Sequence, residues 1–196
     1  MKKVKIAAMA IAVSVLLMIS GCGKAEVPNA KNWPVEDFSF TDQDGASFSK
    51  KDLKGKVWVA DFIFTNCEDV CLPMTANMAK LQKKLKDKGI KDVEFVSFSI
   101  DPAVDNPKVL KEFGSNFAAD FSSWHFLTGY EQEEIEEFAK KSFKTIVAKP
   151  EGQDQVIHGT DFYLMDKEGK IINYYTGLDK IPFDEIVKHI KILQKN

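Results

Sequence analysis

Residues 57–64, VWVADFIF, form a run of β-branched and aromatic residues interrupted by one acid, Asp61, and the run stops just short of two cysteines, Cys67 and Cys71. Such a run is expected of a central strand covered on both faces, because a strand with one wet face alternates apolar with polar. Beyond the cysteines, Met74, Met78, Leu81 and Leu85 recur at spacings of four, three and four, and Gly89 follows. That spacing predicts an amphipathic helix over 73–88, stopped by the glycine. Strand, cysteine pair and helix therefore set the arrangement that everything else must join. In open α/β sheets, ligands sit beyond the carboxyl ends of strands, which is where Cys67 falls.

The remaining pattern fills in around this unit. Phe38, Phe40 and Phe48 alternate around the turn residues 42–45, DQDG, which reads as an N-terminal β-hairpin. Residues 93–100 form a second buried strand, and Asn106 caps a helix with Pro107 at its first position. A short strand follows at 124–127. Residues 131–143 are expected to be helical, with acids first and Lys140, Lys141 and Lys144 last, matching the helix dipole. Strands at 160–165 and 171–175 flank the turn DKEG, and Pro182 opens a final helix running to Leu193. The sum is hairpin, β-α-β-α-β-α, hairpin, α, an α/β chain with a mixed central sheet flanked by helices. Its order of elements is thioredoxin-like.

The N-terminus is of another kind. Lys2, Lys3 and Lys5 precede an apolar stretch at 6–18, then Ile19, Ser20, Gly21 and Cys22. This resembles a bacterial lipoprotein signal peptide at 1–21, cut before Cys22, which then receives lipid, palmitate included. The alternative is a retained helix, since 6–23 is 18 uncharged residues, the lower edge of a span. Either reading puts the remainder outside the cytoplasm at the bacterial cell membrane. Residues 22–32, polar and containing Pro28, read as a flexible tether, and 33–196 as the folded domain.

Charge excludes some functions. Three of the 27 cationic residues lie in the signal, and its removal leaves 24 against 29 acids, a formal charge of −5. Nucleic acid is thereby an unsuitable partner. The chain contains no arginine, which disfavours mechanisms built on a guanidinium fork, including peroxidase chemistry of the peroxiredoxin kind.

With Cys22 lipidated, Cys67 and Cys71 are the remaining pair. A disulfide across three residues closes too short a loop to act as a structural staple. In a regular helix, residues four apart have Cβ atoms about 5–6 Å apart, beyond the roughly 4 Å a disulfide prefers, so the spacing leans towards a shared metal. The dipole of the following helix favours thiolates. Three histidines are available as a third ligand. His189 reads as a surface or half-buried helix residue and His125, within WHFL, as a packed core histidine. His158 lies in the loop VIHGT, beside Gly159, and is either an ordinary loop histidine or one that reaches the thiols. Met74 and Met78 fit core packing better than soft ligation. Glu68 and Asp69 are either solvated loop residues or part of a docking surface. Asp61 is either exposed on an edge strand or buried, where it would tune thiol protonation, as the buried acid of thioredoxins does from a similar place.

From about Val35 onward the chain resembles the Sco/SenC family. The matches are Phe64-Thr65-Asn66-Cys67 with Cys71, Ser99-Ile100-Asp101-Pro102 followed by Asp105-Asn106-Pro107, Trp124-His125-Phe126-Leu127-Thr128-Gly129, and Ile157-His158-Gly159-Thr160. The resemblance implies a thioredoxin-like copper-binding domain that serves cytochrome c oxidase assembly, with subunit II as partner. It further implies Cys67, Cys71 and His158 as copper ligands for Cu(I) or Cu(II), and Asp101 as a nearby supporting carboxylate. Proline usually follows the second cysteine in that family, whereas Leu72 intervenes here before Pro73. A metallochaperone is the first expectation. A thiol-disulfide oxidoreductase using Cys67 and Cys71 as a redox pair, which would reduce the cysteines of that same subunit, is the alternative.

Overall fold

The computed structural model describes residues 25–67, 69–150, 152 and 156–196. The expected signal at 1–21, Cys22 and the start of the tether lie outside the described residues, as does Glu68. In chain order the strands are β1 (Trp33–Pro34), β2 (Ser39–Thr41), β3 (Ser47–Ser49), β4 (Val57–Ile63), β5 (Val93–Ser99), β6 (Trp124–Leu127), β7 (Asp161–Met165) and β8 (Lys170–Thr176). The helices are α1 (Cys71–Asp87), α2 (Pro107–Asn116), α3 (Gln132–Phe138) and α4 (Phe183–Lys195). No helix among the described residues is long and apolar enough to cross a membrane.

Six strands make a mixed sheet in the order β1-β8-β7-β4-β5-β6, with β4, β5 and β6 parallel and β7, β8 and β1 antiparallel to their neighbours. Every residue of β4 and β5 is buried, as their unbroken apolar runs require when both faces are covered. This is the thioredoxin-like arrangement. The hairpin β2-β3 forms its own two-stranded sheet and adds Phe38 and Phe40 to an aromatic cluster with Phe62, Phe98, Phe138 and Phe143. Met74, Met78, Leu81 and Leu85 of α1 are buried together, so the two methionines are core residues.

Several boundaries differ from the periodicity for physical reasons. Helix α1 begins at Cys71, two residues earlier than expected, because Pro73 is tolerated in a first turn where its missing N–H costs no hydrogen bond. The expected helix 131–143 is α-helical only to Phe138 and continues as a π-helical turn, Ala139–Phe143, ending at Lys144 in the left-handed region at φ 58°. The Asn106 cap is as expected, its side chain accepting the Val109 amide at 3.1 Å. Residues 25–32, expected as the end of a flexible tether, are instead laid against the domain. Val27 is buried, and the Lys31 amide donates to the Ile172 carbonyl at 2.9 Å. Burial of one valine side chain favours the docked segment by about 1.5–3 kcal/mol, which opposes the entropy of keeping it free.

Candidate metal centre

The cysteine arm grows out of β4. After Ile63 the chain turns, and both the amide and the hydroxyl of Thr65 donate to the Asp105 carboxylate, at 3.2 and 2.5 Å. Ser99 at the end of β5 donates to the same carboxylate at 2.6 Å. Asp105 is buried, and burial pushes its carboxyl upward even though these donors oppose the shift. The next turn delivers Cys67, whose sulfur accepts the Cys71 amide at 3.3 Å. That amide is one of the unpaired donors at the start of α1, and a sulfur placed there takes the acceptor role of a cap. Leu72, where the family pattern has proline, is 47% exposed and leaves the helix start intact.

The histidine arm approaches from the other side. Ala148 and Ile157 exchange backbone hydrogen bonds of 3.0 and 2.9 Å, a minimal antiparallel bridge that holds the loop carrying His158. The Nδ1–H of His158 donates to the Gly159 carbonyl at 2.8 Å, which leaves the Nε2 lone pair 3.3 Å from the Cys71 sulfur. The ring stands edge-on to Phe64, with centroids 5.9 Å apart. Gly159 is required by a close approach, since a Cβ there would lie 2.6 Å from the Thr145 hydroxyl.

The sulfurs of Cys67 and Cys71 and a ring nitrogen of His158 lie within 4.8 Å of one another, and both cysteines are free thiols. Burial holds His158 below the usual histidine value, keeping the ring neutral and able to donate its lone pair. Burial also raises the Cys71 thiol well above its ordinary range, with Cys67 and Asp61 adding to the shift. A metal entering this cluster therefore displaces at least one proton. Two soft sulfurs and one imidazole suit a soft monovalent or a borderline divalent ion.

The other candidates fall elsewhere. His125 stacks on Phe48 at 4.0 Å and meets Glu94 at 3.2 Å, a packed histidine as expected. His189 is not at the surface: it is buried, its Nδ1 2.6 Å from the Tyr175 hydroxyl. Asp61 is fully buried, accepts the Ser97 hydroxyl at 2.6 Å, and is pushed up to about 7 by burial. Asp101 pairs with Lys149 at 2.7 Å, bracing the base of the histidine arm. Asp69 is exposed. Asp105 carries no role legible in the sequence beyond its place in the motif Asp105-Asn106-Pro107. A buried carboxylate facing two hydroxyls would have been visible only once the ends of β4 and β5 were known to be neighbours.

Known proteins resemble this chain over most of its length. The SCO1/SenC family profile matches residues 27–194. A SCO1 protein homolog of Bacillus subtilis is 52% identical over 177 residues, covering 90% of this chain and 91% of that protein. A SCO1/SenC family lipoprotein from Bacillus anthracis superposes with a TM-score of 0.83 at 53% identity, over 85% of this chain and 98% of its own. BsSco, described as a member of the Sco family of cytochrome c oxidase assembly proteins with a disulfide switch, gives 0.80 at 53%, over 87% and 98%. Yeast Sco1 with copper bound gives 0.69 at 32% identity, over 81% and 89%. Matched by the family profile over 27–194 and 52% identical to a relative along nine-tenths of both chains, this chain belongs to the SCO1/SenC family.

Proposed function

We propose that the chain is a copper metallochaperone that carries its ion on Cys67, Cys71 and His158 to the dinuclear copper site of cytochrome c oxidase subunit II. The observation that carries this reading is the convergence of two sulfurs and one ring nitrogen within 4.8 Å at the end of the sheet. No fourth histidine, cysteine or carboxylate joins the cluster among the described residues, which suits transferable copper better than a structural zinc, for which four ligands are the rule. Support also comes from yeast Sco1, solved with copper bound, and from BsSco, described as an oxidase assembly protein. Lipidation at Cys22 would hold the domain on the extracytoplasmic face of the cell membrane, and the B. anthracis relative is described as a lipoprotein. Titration of the reduced protein with Cu(I) and Cu(II), alongside His158→Ala and Cys71→Ser, tests the reading. One equivalent bound by the wild type and weakened binding in both variants is expected; wild-type binding in His158→Ala refutes the ligand set.

A thiol-disulfide oxidoreductase acting on that same subunit is a second reading, favoured by the buried Asp61 carboxyl close enough to influence the Cys71 thiol. Thiol exchange needs no imidazole ligand. If exchange is the whole function, cells carrying His158→Ala assemble oxidase normally; loss of assembly rules it out as the sole activity.

A further inference from the structure

Large apolar side chains left in water are not spread evenly over this molecule. Among the described residues they are Leu72, Val104, Ile146, Ile157 and Tyr174. Tyr174 lies on β8, stacked on Trp33 with ring centroids 6.2 Å apart. The other four sit on the segments that build the metal centre. Leu72 follows Cys71 in the first turn of α1 and Ile157 precedes His158, and the Cys71 sulfur is 3.3 Å from the His158 ring. Val104 lies between β5 and α2, flanked by Asp101, which holds Lys149 of the histidine arm, and Asp105, which holds Thr65 of the cysteine arm.

Ile146 joins them by register. Ala148 and Ile157 face each other across the antiparallel bridge, and side chains alternate along a strand, so Ile146 points the same way as Ile157 while Val147 and His158 point the other way. Burial agrees: Ile146 is 72% and Ile157 58% exposed, against 4% for Val147. The outer face of the histidine arm is thus apolar and wet. One exposed isoleucine is ordinary, but four such groups gathered around one metal centre mark an interaction site. Leu72 adds a feature of this chain's own, since it stands where the family pattern has proline and turns its side chain to solvent.

The course of the N-terminal segment says what does not cover this face. Residues 25–35 are docked at the opposite end of the sheet: the Val35 amide donates to the Gly169 carbonyl at 3.1 Å, and the Ala25 carbonyl accepts from the Asn196 side chain at 3.1 Å. In the same turn as Gly169, the Lys167 carbonyl accepts the Gly55 amide at 3.0 Å, just before β4 begins. Cys22 is three residues before Ala25, at most about 10 Å of chain. The proposed lipid on Cys22 therefore holds the bilayer at that end, and the metal centre lies roughly 20 Å away, the length of β4. The occupant is then a protein, because a soft ion passes on only when incoming ligands reach bonding distance, about 2.3 Å for sulfur. Whatever takes the ion must press on the residues beside its ligands. We propose that Leu72, Val104, Ile146 and Ile157 form the docking surface for the copper domain of cytochrome c oxidase subunit II, which meets them with an apolar surface around its own copper ligands. The inference rests on the proposed delivery to that subunit and names the surface through which it occurs.

The test loads the full, reduced chain with Cu(I) in a non-ionic detergent and follows copper transfer to the copper-free, reduced soluble domain of subunit II. Leu72→Ser and Ile146→Ser, singly and together, remove one exposed apolar group beside each arm without touching a ligand, and Tyr174→Ser is the control on β8. The second-order rate constant of transfer is expected to fall about tenfold or more in L72S/I146S, by less in each single variant, and not at all in Tyr174→Ser. Copper affinity, read by chelator competition, is expected to match the wild type in every variant. Wild-type transfer by L72S/I146S, or an equal loss in Tyr174→Ser, overturns the docking surface and leaves copper delivery standing. Slower transfer matched by lost copper affinity makes these side chains supports of the centre and overturns the dock as well. No transfer from the wild type refutes delivery to subunit II, and with it this occupant. A wild-type dimer in sedimentation that L72S/I146S converts to monomers assigns the face to a second copy of the chain and likewise overturns the proposal.

Discussion

The cysteine arm continues a fully buried strand, is tied through the Thr65 amide and hydroxyl to the buried Asp105, which Ser99 of β5 also holds, and passes directly into α1 with its buried methionines. The histidine arm is held by one two-residue bridge, the Lys149–Asp101 pair and the Gly159 carbonyl, and His158 itself is only partly buried. Both sulfurs are therefore positioned by the core, whereas the nitrogen is positioned by a loop. Under the proposed ligand set, such a site keeps its two sulfurs in place while the ring can engage or withdraw at small cost, which suits taking up and releasing an ion.

The largest expected effect separates the arms by chemistry. With the proposed ligand set, Cys71→Ser in the rigid arm is expected to lower Cu(I) affinity about a thousandfold or more, and His158→Ala about a hundredfold or less. Competition with a chromophoric chelator measures both, and equal losses would erase the distinction. Asp105→Ala tests the clamp. Loss of its bonds to Thr65 and Ser99 is expected to destabilise the fold by about 2–4 kcal/mol in chemical denaturation, with copper affinity falling about tenfold to a hundredfold. Gly159→Ala tests the loop. The Cβ clashes with Thr145, so copper affinity is expected to fall about tenfold with little loss of global stability; adding Thr145→Ala restores it.

Protons discriminate further. Because the folded-state value of His158 is lowered, the unfolded chain takes up its proton first. The stability contributed by the neutral ring is thus complete above the ordinary histidine value of 6.5 and is lost as pH falls from there through the lowered folded-state value. Asp61 has the opposite sign: its carboxyl is raised from 3.8 to about 7, so its contribution is full below 3.8 and disappears as pH rises towards 7. Asp61→Asn is expected to remove that fall, a difference on the order of 2–4 kcal/mol between pH 4 and pH 8 in denaturation experiments. The smallest effect is kinetic: the Ile157 and Ala148 amides are expected to exchange hydrogen faster than those of β4, and equal protection would show the two arms to be equally rigid.

The rigid arm was also the more legible in sequence. An unbroken apolar run and a 3.6-residue stripe are local signals, and they located β4, α1 and the cysteines between them to within two residues. The histidine arm depends on pairings distant in sequence, so His158 could be selected only as a loop histidine beside a glycine, and its partners, the Gly159 carbonyl and Phe64, carried no signal. Asp61 shows the same limit: its identity was evident, but whether β4 was central or at an edge depended on where β5 and β7 packed. The docked stretch at 25–32 and the burial of His189 were missed because polar neighbours hid single side chains that the sheet and α4 enclose.

X-ray absorption at the copper edge of the loaded, reduced protein, wild type beside His158→Ala, bears on the convergence of the two arms most directly. Two sulfur scatterers and one imidazole nitrogen are expected in the wild type, with the nitrogen lost in the variant. An identical coordination shell in both proteins would contradict the account.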